Sequence, residues 1–267
     1  MSVDEPKGDR PPASPGFAQP VLATRKLNKR FGGIAATQDV SIALERGARH
    51  ALIGPNGAGK TTLVNLLTGM LDPTSGTILL EGSDITHLAA HARAKRGLVR
   101  TFQISQLFET ITPLQTLVLV IAQREGAGLA MSAPLAHRSR FADEAAALLE
   151  QLHLRDTMER RTGILAYGKR RLLEIAIALA SRPRVLLLDE PMAGVPSTDS
   201  REILDTLAAL PDDVTVMLIE HDMDLVFRFA RRILVLVDGA LLTEGTADEV
   251  ARDPRVKSVY LGEALYA

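Results

Sequence analysis

Residues Gly54-Pro55-Asn56-Gly57-Ala58-Gly59-Lys60-Thr61 satisfy G-x-x-x-x-G-K-[ST] at every fixed position. This stretch constrains the fold more than any other, because the pattern works only between a strand and a helix. The apolar run Arg49 to Gly54 supplies the strand, and Thr61 to Thr68 reads as the helix. Glycines let the loop bend until successive N–H groups converge on one oxyanion. A helix starting at Gly59 adds its positive dipole end to the same point. Lys60 then offers a mobile charge to β- and γ-phosphates, and the Thr61 hydroxyl suits Mg2+.

The rest of the chain fits an α/β domain built around that loop. Strand-like runs cover Val21 to Leu27, Asp39 to Leu44 and Thr77 to Glu81, the last behind the turn Asp72 to Gly76. Val185 to Leu188, Val214 to Ile219 and Ile233 to Val237 are continuously apolar, as expected of parallel strands covered on both faces. Asp238-Gly239 turns the last of them into a hairpin with Leu241 to Glu244. Residues 85–182 lose the strand signal and read as a helical insert, with helices over Phe141 to Leu152 and Lys169 to Ala180. Asp189 closes an apolar strand, placed to hold a metal through water. Glu190 points the other way, as a base aimed at an attacking water would.

Composition removes several classes of function. With 31 basic and 32 acidic side chains, the net charge of -1 argues against partners chosen by bulk electrostatics, such as duplex DNA. Aromatics at 4% are too sparse for a base-stacking platform. The absence of Cys excludes thiolate chemistry and Cys-ligated metals, and suits a reducing interior. Apolar runs such as Leu117 to Ala122 fall far short of the roughly 18 residues that span a bilayer. Residues 1–20 hold five of the fourteen prolines and no hydrophobic stretch, so they read as a disordered extension and not as a secretory signal.

Taken together, these motifs resemble the ATP-binding subunits of ABC transporters, over about residues 20–265. Leu165-Ala166-Tyr167-Gly168-Lys169-Arg170-Arg171 is similar to the family signature LSGGQ, in its L-[SA]-Y-G-Q-Q-R form. Gln103, in Arg100-Thr101-Phe102-Gln103, matches the Q-loop, and His221, in Leu218-Ile219-Glu220-His221-Asp222, matches the switch histidine. Phe31 stands where the family stacks an aromatic on adenine, although it also fits a core position. The resemblance implies a P-loop ABC ATPase fold over residues 21–265: a mostly parallel core sheet, an antiparallel β subdomain, and a helical subdomain over about 85–182. It implies ATP wrapped by Gly54 to Thr62, and Mg2+ held by Thr61, Gln103 and Asp189. Glu190, His221, Lys60 and Gln103 would carry hydrolysis. Leu165 to Lys169, with Gly168 opening a helix, would close on the γ-phosphate of a partner subunit.

Within that family, Val99 to Gln103, the Ala-Tyr-Gly signature, Ile219 to Met223 and the ending Val259 to Ala264 resemble LivG-type subunits of branched-chain amino acid importers. The implied assembly is a second ATPase subunit (a different one, or a second copy), two transmembrane permeases and a periplasmic binding protein, with no nucleic acid. Its place would be the cytoplasmic face of the bacterial inner membrane. A urea or short-amide importer is the alternative cargo, and a soluble ABC ATPase unconnected with transport the alternative class. Three positions depart from the family pattern. Ala166 replaces a frequent Ser, and Lys169 replaces Gln, putting a full charge near the nucleotide interface. Pro196 replaces the Asn of A-G-L-N and removes an amide donor. Arg170 and Arg171 are equally compatible with a solvated helix face.

Overall fold

The computed structural model describes residues 19–101, 107–127 and 135–264. Gln103 and residues 1–18 lie outside them. Strands β1 (Leu22–Phe31), β2 (Ile34–Val40), β3 (Ala43–Leu44) and β4 (Arg49–Ile53) lead into helix α1 (Lys60–Thr68). Next come β5 (Ser75–Leu80), β6 (Ser83–Asp84), α2 (Ala90–Lys95) and β7 (Leu98–Arg100). The helices α3 (Pro113–Arg124), α4 (Leu135–Gln151) and α5 (Tyr167–Ala180) follow. The chain ends with β8 (Val185–Asp189), α6 (Ser197–Ala208), β9 (Thr215–Ile219), α7 (Met223–Phe229), β10 (Arg232–Val237), β11 (Ala240–Gly245), α8 (Ala247–Arg252) and α9 (Pro254–Ala264).

A six-stranded sheet in the order β11-β10-β4-β9-β8-β7 is parallel except for the β10–β11 hairpin. The second sheet, β2-β1-β5-β6 with β3 also on β1, is antiparallel throughout. Strand periodicity explains why the central strands are apolar at every position. Val185 and Leu187 pack with Leu63, Leu66 and Leu67 of α1, as do Met217 and Ile219 of β9. Leu186, Leu188, Val216 and Leu218 alternate with them and pack on Leu172, Leu173 and Ala176 of α5. Leu117, Ile121, Phe141 and Leu149 of α3 and α4 belong to that same cluster, so the helical insert shares one core with the sheet. Asp189 continues the alternation on the face of Val185 and Leu187, toward α1.

Several strands differ from expectation: β6 answers to none of the expected runs, and Asp39 to Leu44 is divided between β2 and β3. β7 lies inside the segment read as purely helical; three residues at a sheet edge, paired only with β8, leave too short a pattern to detect. β2 begins at Ile34, upstream of the expected run from Asp39, because Gln38 and Asp39 are exposed and break the apolar signal. Among the described residues no helix is long and apolar enough to cross a membrane.

Arg93 is fully buried and closes the far end of α1. Its guanidinium donates to the carbonyls of Leu66 (2.6 Å), Leu67 (2.7 Å), Thr86 (2.8 Å) and Leu88 (2.8 Å). A cation over the last carbonyls of a helix also meets the negative end of its dipole. Arg93→Met would strip the guanidinium donors from these buried carbonyls, of which Leu66 O keeps the Gly69 N–H (3.2 Å), a loss of about 3–5 kcal/mol. The expected drop in melting temperature by circular dichroism is on the order of 10 °C. A change below about 3 °C would show that water takes over the guanidinium's bonds.

Candidate functional site

The loop between β4 and α1 packs closely on strands β10 and β2. A Cβ on Gly54 would lie 2.1 Å from the Leu236 carbonyl oxygen, and one on Gly59 (φ 94°) 2.4 Å from that of Ala36. Only glycine fits either place. The Gly239 N–H donates to Ala58 O (2.9 Å) and the Gln38 N–H to Gly239 O (2.7 Å), which ties the loop to the β10–β11 turn and to β2. α1 starts at Lys60 with no side-chain cap and no acid in its first turn, leaving its N–H groups and dipole to an anion. Lys60 Nζ lies over the loop, 2.6 Å from Gly54 O and 2.9 Å from Pro55 O. Asn56, Gly57 and Thr61 form its exposed rim, with Pro55 and Thr62 half-buried beside them. Phe31 ends β1 with 47% of its surface exposed and pairs across the hairpin with Ile34. Lys29 Nζ lies over the Phe31 ring, 5.2 Å from its centre. The β2 arm of the same hairpin carries Ala36 against Gly59.

The acidic residues converge from the carboxyl ends of β8 and β9. Asp189 is buried and accepts from Arg100 Nη2 at 2.5 Å; Arg100 Nη1 also donates to Asn65 Oδ1 of α1 (2.7 Å). Glu190 has a left-handed backbone (φ 47°), and its N–H donates to Ile219 O (2.9 Å). Its carboxylate lies 3.9 Å from His221 Nδ1, and the His221 ring is largely exposed. Glu220, whose side chain is 1% exposed, lies 3.7 Å from the same His221 Nδ1. It accepts from the N–H groups of Met192 (3.3 Å) and His221 (3.0 Å). Burial pushes the Glu220 carboxyl above the usual range, against the pull of these backbone N–H groups.

α5 opens at Tyr167, with Ala166 as an N-cap that makes no side-chain bond. Leu165 and Gly168 are buried, whereas Tyr167 is exposed and its hydroxyl donates to Ala193 O at 2.9 Å. The segment 165–169 is thereby tied to the loop that follows Glu190.

A family described as "ABC transporter" matches residues 37–193, and one described as "Branched-chain amino acid ATP-binding cassette transporter" matches residues 240–266. The chain belongs to the ABC transporter family. It is an ATP-binding, ATP-hydrolysing subunit with the ABC ATPase fold. The "High-affinity branched-chain amino acid transport ATP-binding protein BraF" of Pseudomonas aeruginosa is 41% identical over 257 residues, 93% of this chain and all of that protein. The corresponding protein LivG of Escherichia coli is 40% identical over 255 residues, again 93% of this chain and all of its own. Among solved structures, the ADP conformation of an ATP-binding cassette of an ABC transporter has TM-score 0.77 and 30% identity, covering 92% of this chain and 100% of its own. A dimeric bacterial ABC transporter cassette has TM-score 0.71 and 26% identity, covering 85% and 98%.

The ABC match spans the phosphate loop, the Gln103 segment, the signature and the Asp189-Glu190 pair; Phe31 and His221 fall outside it. Lys169 does not bring an uncompensated charge to the cassette surface. Its Nζ pairs with Glu202 (2.7 Å) and donates to His153 O (2.7 Å), so an internal carboxylate balances it. Nor do the next two residues form a solvated face. Arg170 donates to Leu165 O (3.1 Å) and to Gly163 O, and Arg171 is buried against Glu174 (2.8 Å) with its guanidinium 5.5 Å from the Tyr167 ring centre. Arg100 and Glu220 were visible in the sequence only as letters inside motifs. What singles them out is a buried charge beside Asp189 in one case and beside Glu190 and His221 in the other.

Proposed function

We propose that this cassette binds and hydrolyses ATP to drive an importer for branched-chain or related hydrophobic amino acids. The observation that carries the reading is the match to BraF and LivG along their entire length, joined to the C-terminal segment matched at residues 240–266. In this reading Phe31 stacks on adenine while Gly54 to Thr62 surround the phosphates. Glu190 accepts a proton from the attacking water, and His221, beside it, supports the γ-phosphate. A loose phosphoryl-transfer transition state needs positioned charge more than covalent help, which is what the uncapped start of α1 and Lys60 supply.

The donor chemistry fits Mg2+: the Thr61 hydroxyl and the Asp189 carboxylate, acting through water, are hard oxygen ligands of the kind that complete a shell of phosphates and water. Bound there, Mg2+ would neutralise charge on the phosphate oxygens. Gln103 would join this set and signal to the helical part, about 85–182 of the domain 21–265, where the permeases would dock. The partner assembly is a second ATPase subunit, whose nucleotide would meet Leu165 to Lys169, with two permeases and a binding protein at the inner membrane.

The test is reconstitution with permeases and a binding protein of a branched-chain amino acid importer. Hydrolysis should rise when the binding protein carries leucine and should not respond to urea. Stimulation by urea alone would reassign the cargo, and hydrolysis indifferent to permeases would remove the importer role.

A further inference from the structure

Resting on that reading of Glu190 and His221, we propose that Glu220 is a positioning residue that fixes the separation of the hydrolytic carboxylate from the switch histidine. Three backbone ties meet at the end of β9. Ile219 O takes the Glu190 N–H (2.9 Å), one Glu220 oxygen takes the Met192 N–H (3.3 Å), and the other takes the His221 N–H (3.0 Å). The segment 190–192 is therefore pinned on either side of Pro191, and the histidine is hung from the same carboxylate that pins it. Neither loop belongs to a helix or strand at these residues, so these ties, with the turn bonds from Ala193 N–H to Glu190 O and from Val195 N–H to Met192 O (3.0 Å each), stand in for a ladder. A carboxylate suits the role because it only accepts, and two oxygens can serve N–H groups from two directions. A buried acid is otherwise a costly choice, and here the backbone N–H groups and His221 Nδ1, 3.7 Å away, offset that cost.

The phosphate loop hangs on β2, β10 and the β10–β11 turn, none of which Glu220 bonds. Loss of Glu220 should therefore disturb turnover and spare nucleotide affinity. Glu220→Ala removes both acceptors; Glu220→Gln keeps one oxygen but sets an NH2 against the other N–H. In steady-state hydrolysis by the full-length chain, Glu220→Ala should lower kcat about 10- to 100-fold, the scale of a 1 Å misplacement. KM for ATP should stay within about threefold. Glu220→Gln should fall between Ala and wild type, with faster hydrogen exchange at the Met192 and His221 amides. That second variant, being isosteric, carries the test if Glu220→Ala fails to fold. Wild-type kcat in the folded variants overturns the proposal, as does a KM that rises in step with any fall in kcat. Glu190→Gln run in parallel separates the two levels. If it turns over normally, the reading of the site fails and the inference with it; if it is dead while Glu220→Ala is wild-type, only the role of Glu220 is lost.

Discussion

Glu190→Gln is expected to lower steady-state ATP hydrolysis by about 10²- to 10⁴-fold, the range for loss of a positioned general base. ATP affinity and melting temperature should change little. The amide has the shape of the carboxylate but cannot take up a proton. The backbone there should hold, because the Glu190 N–H is bound to Ile219 O and the substitution leaves that bond alone. Its left-handed φ of 47° costs a Gln no more than a Glu, so the strained turn that aims the side chain persists. No binding contact to the phosphates is assigned to this carboxylate, and repulsion from the γ-phosphate even falls when it is neutralised. Phosphate release measured beside equilibrium binding of a fluorescent ATP analogue separates the two effects. Unchanged turnover would take Glu190 out of the reaction.

How far the sequence foretold this arrangement depended on whether its cause was local. The Gly54 to Thr61 loop was legible because turn, helix start and phosphate affinity all follow from a few adjacent residues. Val185 to Leu188 and Ile233 to Val237 were legible because burial on both faces leaves an uninterrupted apolar record. β7 was not: Leu98 is buried, but Val99 and Arg100 are only half-buried, and its pairing comes from a strand far along the chain. Charged residues were harder still. Arg171 is left open between a solvated and a buried place until Glu174, one helical turn on, and the Tyr167 ring are seen against it. Arg93 carries no motif at all, and its partners are backbone carbonyls that look the same in every sequence. Lys169 was judged by its neighbours in sequence, whereas Glu202 of α6, folded against it, decides its charge balance.

Arg100 shows how those unforeseen charges serve the site. Asp189 is buried at the end of an apolar strand, where a lone carboxylate would be strongly disfavoured. Arg100 supplies the opposite charge at 2.5 Å and reaches Asn65 of α1 with its other nitrogen. The strand that bears the acid and the helix that begins at the phosphate loop are thus held together by one guanidinium, and β7 exists at the sheet edge to carry it.

Lys60→Ala should fail in the opposite manner to Glu190→Gln, losing nucleotide affinity together with turnover. Its ammonium is held over the loop by the carbonyls of Gly54 and Pro55, at 2.6 and 2.9 Å, so its charge is already positioned where the phosphates would arrive. With a phosphate bound the ammonium would form a charge pair, and truncating one member of a buried charge pair costs about 2–5 kcal/mol. Even the lower bound is about 30-fold in Kd. The fold should tolerate the change, because Leu63, Val64, Leu66 and Leu67 still seat α1 in the core. Lys60→Arg restores the charge but spreads it over a planar fork too wide for a cradle closed by Gly54 and Gly59, and should rescue binding only in part. Titration of the same ATP analogue, with melting curves as the control for folding, gives the answer. Wild-type affinity in Lys60→Ala would mean that the loop holds phosphate by its backbone alone, and the lysine's part in the site would have to be given up.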